Sequence, residues 1–100
     1  MSRLKPDDRK KQILRAALVV ASREGGWSKM TRQTVAAEAE CAEALVSRYF
    51  GTIIEFKRTV MRAAVVNQVL PIVAQGLATG DKHAQKADDA LKIKALATLQ

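Results

Sequence analysis

Arg48, Ser47 and Glu43 are the side chains whose types and spacing promise chemistry, and they fall in the stretch TRQTVAAEAECAEALVSRYF, residues 31 to 50. Val46 and Phe50 lie four residues apart and so share one buried helix face. The opposite side then shows Glu43, Ala44, Ser47 and Arg48, with Leu45 on the flank. A guanidinium at Arg48 can bridge phosphates or fork to guanine O6 and N7, and Ala44 and Leu45 suit thymine methyls. Glu43 can accept from cytosine N4, or it can simply favour the positive end of a helix. This is the chemistry of recognition, not of bond making. His83 is the only histidine and Cys41 the only cysteine, and no glycine-rich phosphate loop occurs, so no metal site, no catalytic triad and no cofactor is expected. The chain is not expected to be an enzyme.

A helix of seven or so residues is not stable alone, so its neighbours must hold it. Just before it, Val35, Ala36 and Ala39 form the apolar face of another short helix, with Thr31 as a good N-cap. Alanine lets two helices cross closely, and Glu40 to Ala42 supplies the tight turn of a helix-turn-helix. That motif places its second helix in the major groove of double-stranded DNA. Lys29, Thr31 and Arg32 stand where the first helix begins, so backbone amides and basic side chains there can hold a phosphate. Gln33 and Ser47 are further polar contacts, and Tyr49 offers either its hydroxyl to a phosphate or a packed ring with a wet tip. Arg3 and Lys5, in a short basic arm, are placed to reach a minor groove.

The charge balance agrees. The chain carries a net +7 with a pI near 10.0, and residues 1 to 60 hold +5 of it, 12 basic groups against 7 acidic. Such an excess favours polyanionic partners. The N-terminus is polar and charged, and no apolar run has a membrane-spanning length. A cytoplasmic, nucleoid-associated protein without a membrane partner is therefore expected, and one cysteine agrees with a reducing compartment.

The remaining pattern is helical throughout. Pro6, Asp7 and Asp8 open a first helix running to about Glu24, with Ile13, Ala17 and Val20 in one apolar row and Leu14, Leu18 and Ala21 in the next. Gly25 and Gly26 end it, and residues 27 to 30 read as a connection. After Gly51 and Thr52, a long helix is expected over 53 to 75, kinked or divided at Pro71. A last helix follows from Asp81 to Leu99, with Ala84, Ala87, Leu91, Ala95 and Leu99 on one face. The prediction is an all-α protein of about five helices, with a DNA-binding head over 1–52 and a dimerisation region over 53–100 forming one compact unit.

Residues 9 to 60 resemble the N-terminal DNA-binding domain of the tetracycline-repressor (TetR) family. The resemblance rests on ILRAAL in the first helix, Gly26-Trp27, Thr31 with Val35-Ala36, Arg48-Tyr49-Phe50, and Phe56 and Val60 in the next helix. It implies a three-helix head and a homodimer. Three positions depart from the family pattern: Glu40 replaces a turn glycine, Ser47 an aromatic that often touches the DNA backbone, and Ile53 a phosphate-binding lysine. Family members are usually about twice as long, and only two helices follow the head here. No inducer pocket of the family type, and so no small-molecule inducer, is expected.

The apolar surplus of the long helix exceeds what one subunit of five helices can cover. Val60, Met61, Val65, Val66, Val69, Leu70 and Val73, together with Leu91 and Leu99, are therefore expected to form a four-helix dimer interface. The sequence points to a dimeric, sequence-specific transcriptional repressor of a palindromic operator without a ligand-sensing domain. The alternatives are an architectural or segregation protein with weak sequence preference, or an interaction module that has lost DNA binding.

Overall fold

Pro6 occupies the first turn of α1 (Pro6–Ser22), where its missing N–H costs nothing, and Asp7 and Asp8 favour the same helix end. The computed structural model describes residues 5 to 99, so the arm contact expected of Arg3 lies outside the described residues. Ile13, Ala16, Ala17, Val20 and Ala21 form the buried face of α1. The helix stops short of Glu24 because Arg23 is already extended. Residues 27 to 30, read as a connection, instead contribute to a one-turn helix, α2 (Gly26–Lys29). A Cβ on Gly26 would overlap the Val20 carbonyl oxygen, so glycine is what lets α2 fold back against the end of α1.

Trp27 anchors α2 to the C-terminal half of the chain. Its indole N–H donates to the Lys57 carbonyl at 3.2 Å, and Lys57 Nζ lies 4.6 Å above its ring. The Trp27 backbone N–H donates to Gln75 Oε1 at 2.8 Å, while Gln75 Nε2 donates to the Ala21 carbonyl at 2.6 Å. One glutamine thus satisfies backbone groups from both α1 and α2 where α6 crosses them.

The head continues with α3 (Arg32–Ala39) and α4 (Glu43–Phe50), followed by α5 (Ile53–Val66), α6 (Leu70–Thr79), α7 (Lys82–Gln85) and α8 (Asp89–Ala97). The protein is all-helical, with eight helices among the described residues in place of about five. Both long helices of the sequence reading are divided. Pro71 disfavours helical geometry in the residue before it and lacks an N–H, so it is tolerated only in the first turn of a new helix. It sits in the first turn of α6, and the chain breaks ahead of it, with Gln68 at φ 54°. The last helix divides because Asp88 is a competing N-cap, its carboxylate accepting from the amides of Ala90 and Leu91. Asp81 caps α7 through the Ala84 amide at 2.9 Å.

A single core draws on all eight helices, including Ile13, Trp27, Val35, Val46, Phe56, Ile72, Ala84 and Leu91, so residues 1–52 and 53–100 are not separate in their packing. The rings of Phe50 and Phe56 join α4 to α5, 4.7 Å apart at their centroids. Gly76 lets α6 approach both neighbours, since a Cβ there would come within 2.5 Å of Met61 Cε and 2.7 Å of Ala84 Cβ.

This core corrects the expected interface. Val60, Met61 and Val73 are fully buried within the chain and Leu91 almost so, because α6 and α7 fold back over α5 and α8 packs on α6. They cannot also face a second copy. Val66 and Leu99 stay exposed, and Val65, Val69 and Leu70 are partly buried. Ile93 and Leu96 of α8 join the exposed apolar side chains, although the sequence reading did not single them out. No helix of the described residues is long and apolar enough to cross a membrane.

Candidate nucleic-acid interface

Thr31 opens α3 with a reciprocal cap. Its hydroxyl accepts from the Thr34 N–H at 3.1 Å, while Thr34 Oγ1 accepts from the Thr31 N–H at 3.1 Å. The cap secures the helix start and engages the Thr31 hydroxyl, leaving the amides of Arg32 and Gln33 as the first-turn donors that face outward. At the other end, Glu40 adopts the left-handed conformation at φ 55° and ψ 46°. The turn is thus made with a residue that pays for this geometry, where glycine would not. The Cys41 N–H donates to the Ala36 carbonyl at 3.0 Å, and Gln12 Nε2 of α1 donates to the Ala39 carbonyl at 3.2 Å. With the Glu40 N–H, which donates to the Ala36 and Ala37 carbonyls, these bonds engage three of the four carbonyls in the last turn of α3.

Residues 40 to 42 join α3 to α4. Val46 and Phe50 of α4 are buried, whereas Glu43, Ala44 and Arg48 are exposed on the opposite side of the helix. Ser47 and Arg32 are partly buried, and the Arg32 guanidinium donates to Ser47 Oγ at 2.9 Å. This bond places a cation on the seam between α3 and α4. Arg32 is consequently oriented by α4 and is not a free arm beside Lys29. Arg23 pairs with Glu38, neutralising a carboxylate on the exposed side of α3.

Each remaining candidate has a definite place. Lys29, Thr31 and Gln33 are exposed around the start of α3, and Lys5 is exposed at the N-cap of α1. Leu45 and Tyr49 lie on the flank of α4 and pack partly against the core, which leaves Leu45 less of its side chain for a base contact than Ala44 has. Ile53 is also packed against the core, and its neighbour Ile54 is 62% exposed. The exposed side chains in the first turn of α5 are thus Ile54 and Glu55, with no cation among them.

The sequence reading missed the cations beside Tyr49. Lys10, Arg58 and Arg62 line a groove of about 250 Å³ with Tyr49, Phe50, Glu55 and Thr59. Lys10 Nζ lies 5.7 Å from the centroid of the Phe50 ring. The four-residue spacing of Arg58 and Arg62 signalled a shared helix face. Nothing in the sequence set Lys10 against it.

Among the described residues, no three His, Cys, Asp or Glu side chains gather as metal ligands. No protein-family model, curated protein or solved structure matches this chain.

Proposed function

We propose that the protein is a DNA-binding transcriptional regulator that uses α4 as a reading helix and works as a homodimer on an approximately palindromic operator. The observation that carries this reading is the pairing of a buried Val46–Phe50 face with an exposed face of Glu43, Ala44 and Arg48, on a short helix fixed to α3 through Glu40 and the Arg32–Ser47 bond. Such a helix has little to do for stability on its outer side. Its exposed groups match what a major groove offers: a forked donor for guanine, a methyl for thymine and a carboxylate that accepts from cytosine. The resemblance to the TetR head and the net charge of +7 point the same way.

In this reading Arg48 reads a base edge, Lys29, Arg32 and the first amides of α3 hold phosphates, and repression follows from blocking polymerase. One short helix reads only a few base pairs, so a second head is needed to reach operator-level discrimination. The dimer surface is assigned to the corner between α5 and α6, where Val66 is 79% exposed beside Val69 and Leu70. Leu99 extends it, lining one groove together with Pro71.

A second reading draws on Arg32 and Glu43. With Arg32 engaged by Ser47 and Glu43 at the groove-facing end of α4, Arg48 is the one long cationic donor on that helix. This economy suits an architectural protein that binds mainly through the backbone. Selection of binding sites from a random duplex library, followed by titration of selected and scrambled duplexes across salt, separates the two. A selected palindrome with a strong preference over scrambled DNA supports the regulator; equal, steeply salt-dependent binding supports the architectural protein; no binding overturns both.

A further inference from the structure

The molecule carries a basic surface that the reading helix does not use. The groove lined by Lys10, Tyr49, Arg58 and Arg62 shares Arg58 and Arg62 with a second groove of about 270 Å³, completed by Asp81, Lys82, His83 and Lys86. The two form a continuous track from the flank of α4, across α5, to α7. Its five cations, Lys10, Arg58, Arg62, Lys82 and Lys86, are exposed and have no carboxylate partner within salt-bridge distance among the described residues. The two acids nearby are occupied locally: Asp81 caps α7 through the Ala84 amide, and Glu55 takes the Thr52 hydroxyl at 3.1 Å.

Five cations set against two carboxylates leave a net positive surface whose charges repel one another, which costs the fold stability. None of the exposed large hydrophobic side chains, Val19, Ile54, Val66, Ile93, Leu96 and Leu99, lines either groove. A protein partner would ordinarily require an exposed apolar or aromatic anchor at such a place, and the two aromatic side chains there are spent on the core, Phe50 buried and Tyr49 partly buried against it. A polyphosphate backbone requires none, and interfaces with nucleic acid are distinguished by their positive charge. The track also begins at Tyr49, on the helix assigned to base reading.

We infer that the α5–α7 flank holds the phosphate backbone of duplex DNA outside the base pairs read by α4, so that each subunit grips a longer stretch of DNA than its recognition helix requires. This rests on the DNA-binding reading given above. The contact is independent of sequence. Each neutralised phosphate releases counterions, and the logarithm of the binding constant falls with the logarithm of salt by about 0.9 per contact.

The test compares wild type, the triple variant Arg58→Ala/Arg62→Ala/Lys86→Ala and the charge-preserving Arg58→Lys/Arg62→Lys. Each is titrated with a labelled 40-base-pair random-sequence duplex over a range of salt, and a competition with poly-glutamate is run in parallel. All three side chains are exposed, and circular dichroism melts check that each variant folds. The expected result is a triple variant whose salt slope is shallower by roughly three units, with the lysine variant close to wild type. A triple variant with an unchanged slope overturns the track while leaving the reading helix in place. Loss of poly-glutamate binding alone, with DNA binding intact, overturns it in favour of an acidic polypeptide. A wild type that binds no duplex overturns the DNA-binding reading itself, and the track with it.

Discussion

The Arg32 guanidinium donates to the Ser47 hydroxyl across 2.9 Å, tying the first turn of α3 to the middle of α4. The bond fixes where a cation stands relative to α4, and it gives Ser47 a role that its position on the helix face alone did not suggest. Arg32→Ala removes both the cation and the brace. Ser47→Ala removes only the brace. Operator binding by Ser47→Ala is expected to fall less than by Arg32→Ala, with the salt slope lowered only in the latter, by about one unit. Equal slopes in the two variants would remove Arg32 from the phosphate contacts.

Arg48 stands apart from this pair, exposed and without an ion-pair partner among the described residues. Arg48→Ala is expected to weaken operator binding by about 1–3 kcal/mol and to relax preference at one base position. Binding-site selection repeated on the variant reads both effects. A folded variant with wild-type affinity and preference would take Arg48 out of the reading surface.

Glu40 holds the turn at φ 55° with a Cβ in place. A left-handed residue with a side chain costs roughly 1–2 kcal/mol, and glycine's extra chain entropy costs about 0.5–1 kcal/mol. Glu40→Gly is therefore expected to stabilise the fold by up to about 1.5 kcal/mol, measured by urea denaturation. A destabilised variant would show that the Glu40 side chain contributes more than its strain costs.

Gln75 serves Trp27 and Ala21 at once, at 2.8 Å and 2.6 Å. Gln75→Ala leaves a partly buried N–H and C=O without their partner, a loss of about 1–3 kcal/mol per unsatisfied group. The expected outcome is a lower unfolding midpoint, with the α1–α2 junction exchanging its amide hydrogens faster than α3. A variant as stable as wild type would mean that water replaces the glutamine.

Val66 is exposed at the end of α5, whereas Met61, little more than one turn earlier, is fully buried. Val66→Glu is expected to leave the monomer folded and to split the dimer, because the charge is buried only on association. Met61→Glu is expected to unfold the chain. Sedimentation and thermal melts distinguish them. A Val66→Glu protein that sediments like wild type, or a wild type that is monomeric at micromolar concentration and binds a half-site as tightly as a palindrome, overturns the assigned interface.

The head was legible in the sequence because its information is local. Thr31 as a cap, the turn at Glu40 to Ala42, and Val46 with Phe50 on one face follow from caps, turns and a period of 3.6 residues, and all three are found in place. The divided helices were half legible. Pro71 announced a break, but the division at Asp88 lay hidden in a continuous apolar pattern that runs from Ala84 through Ala95.

The sequence by itself determined that α5 and α6 carry more apolar side chains than one helix face needs; the tertiary structure decided which of them are covered, and by what. Val60, Met61 and Val73 read the same way whether their cover is a partner or the chain itself, because hydrophobicity has no direction, and only the return of α6 and α7 over α5, with α8 on α6, settles the choice. The basic track has the same origin. Lys10, Arg58 and Lys86 lie far apart in sequence, and no periodicity connects them; they share a surface only because α1, α5 and α7 pack side by side.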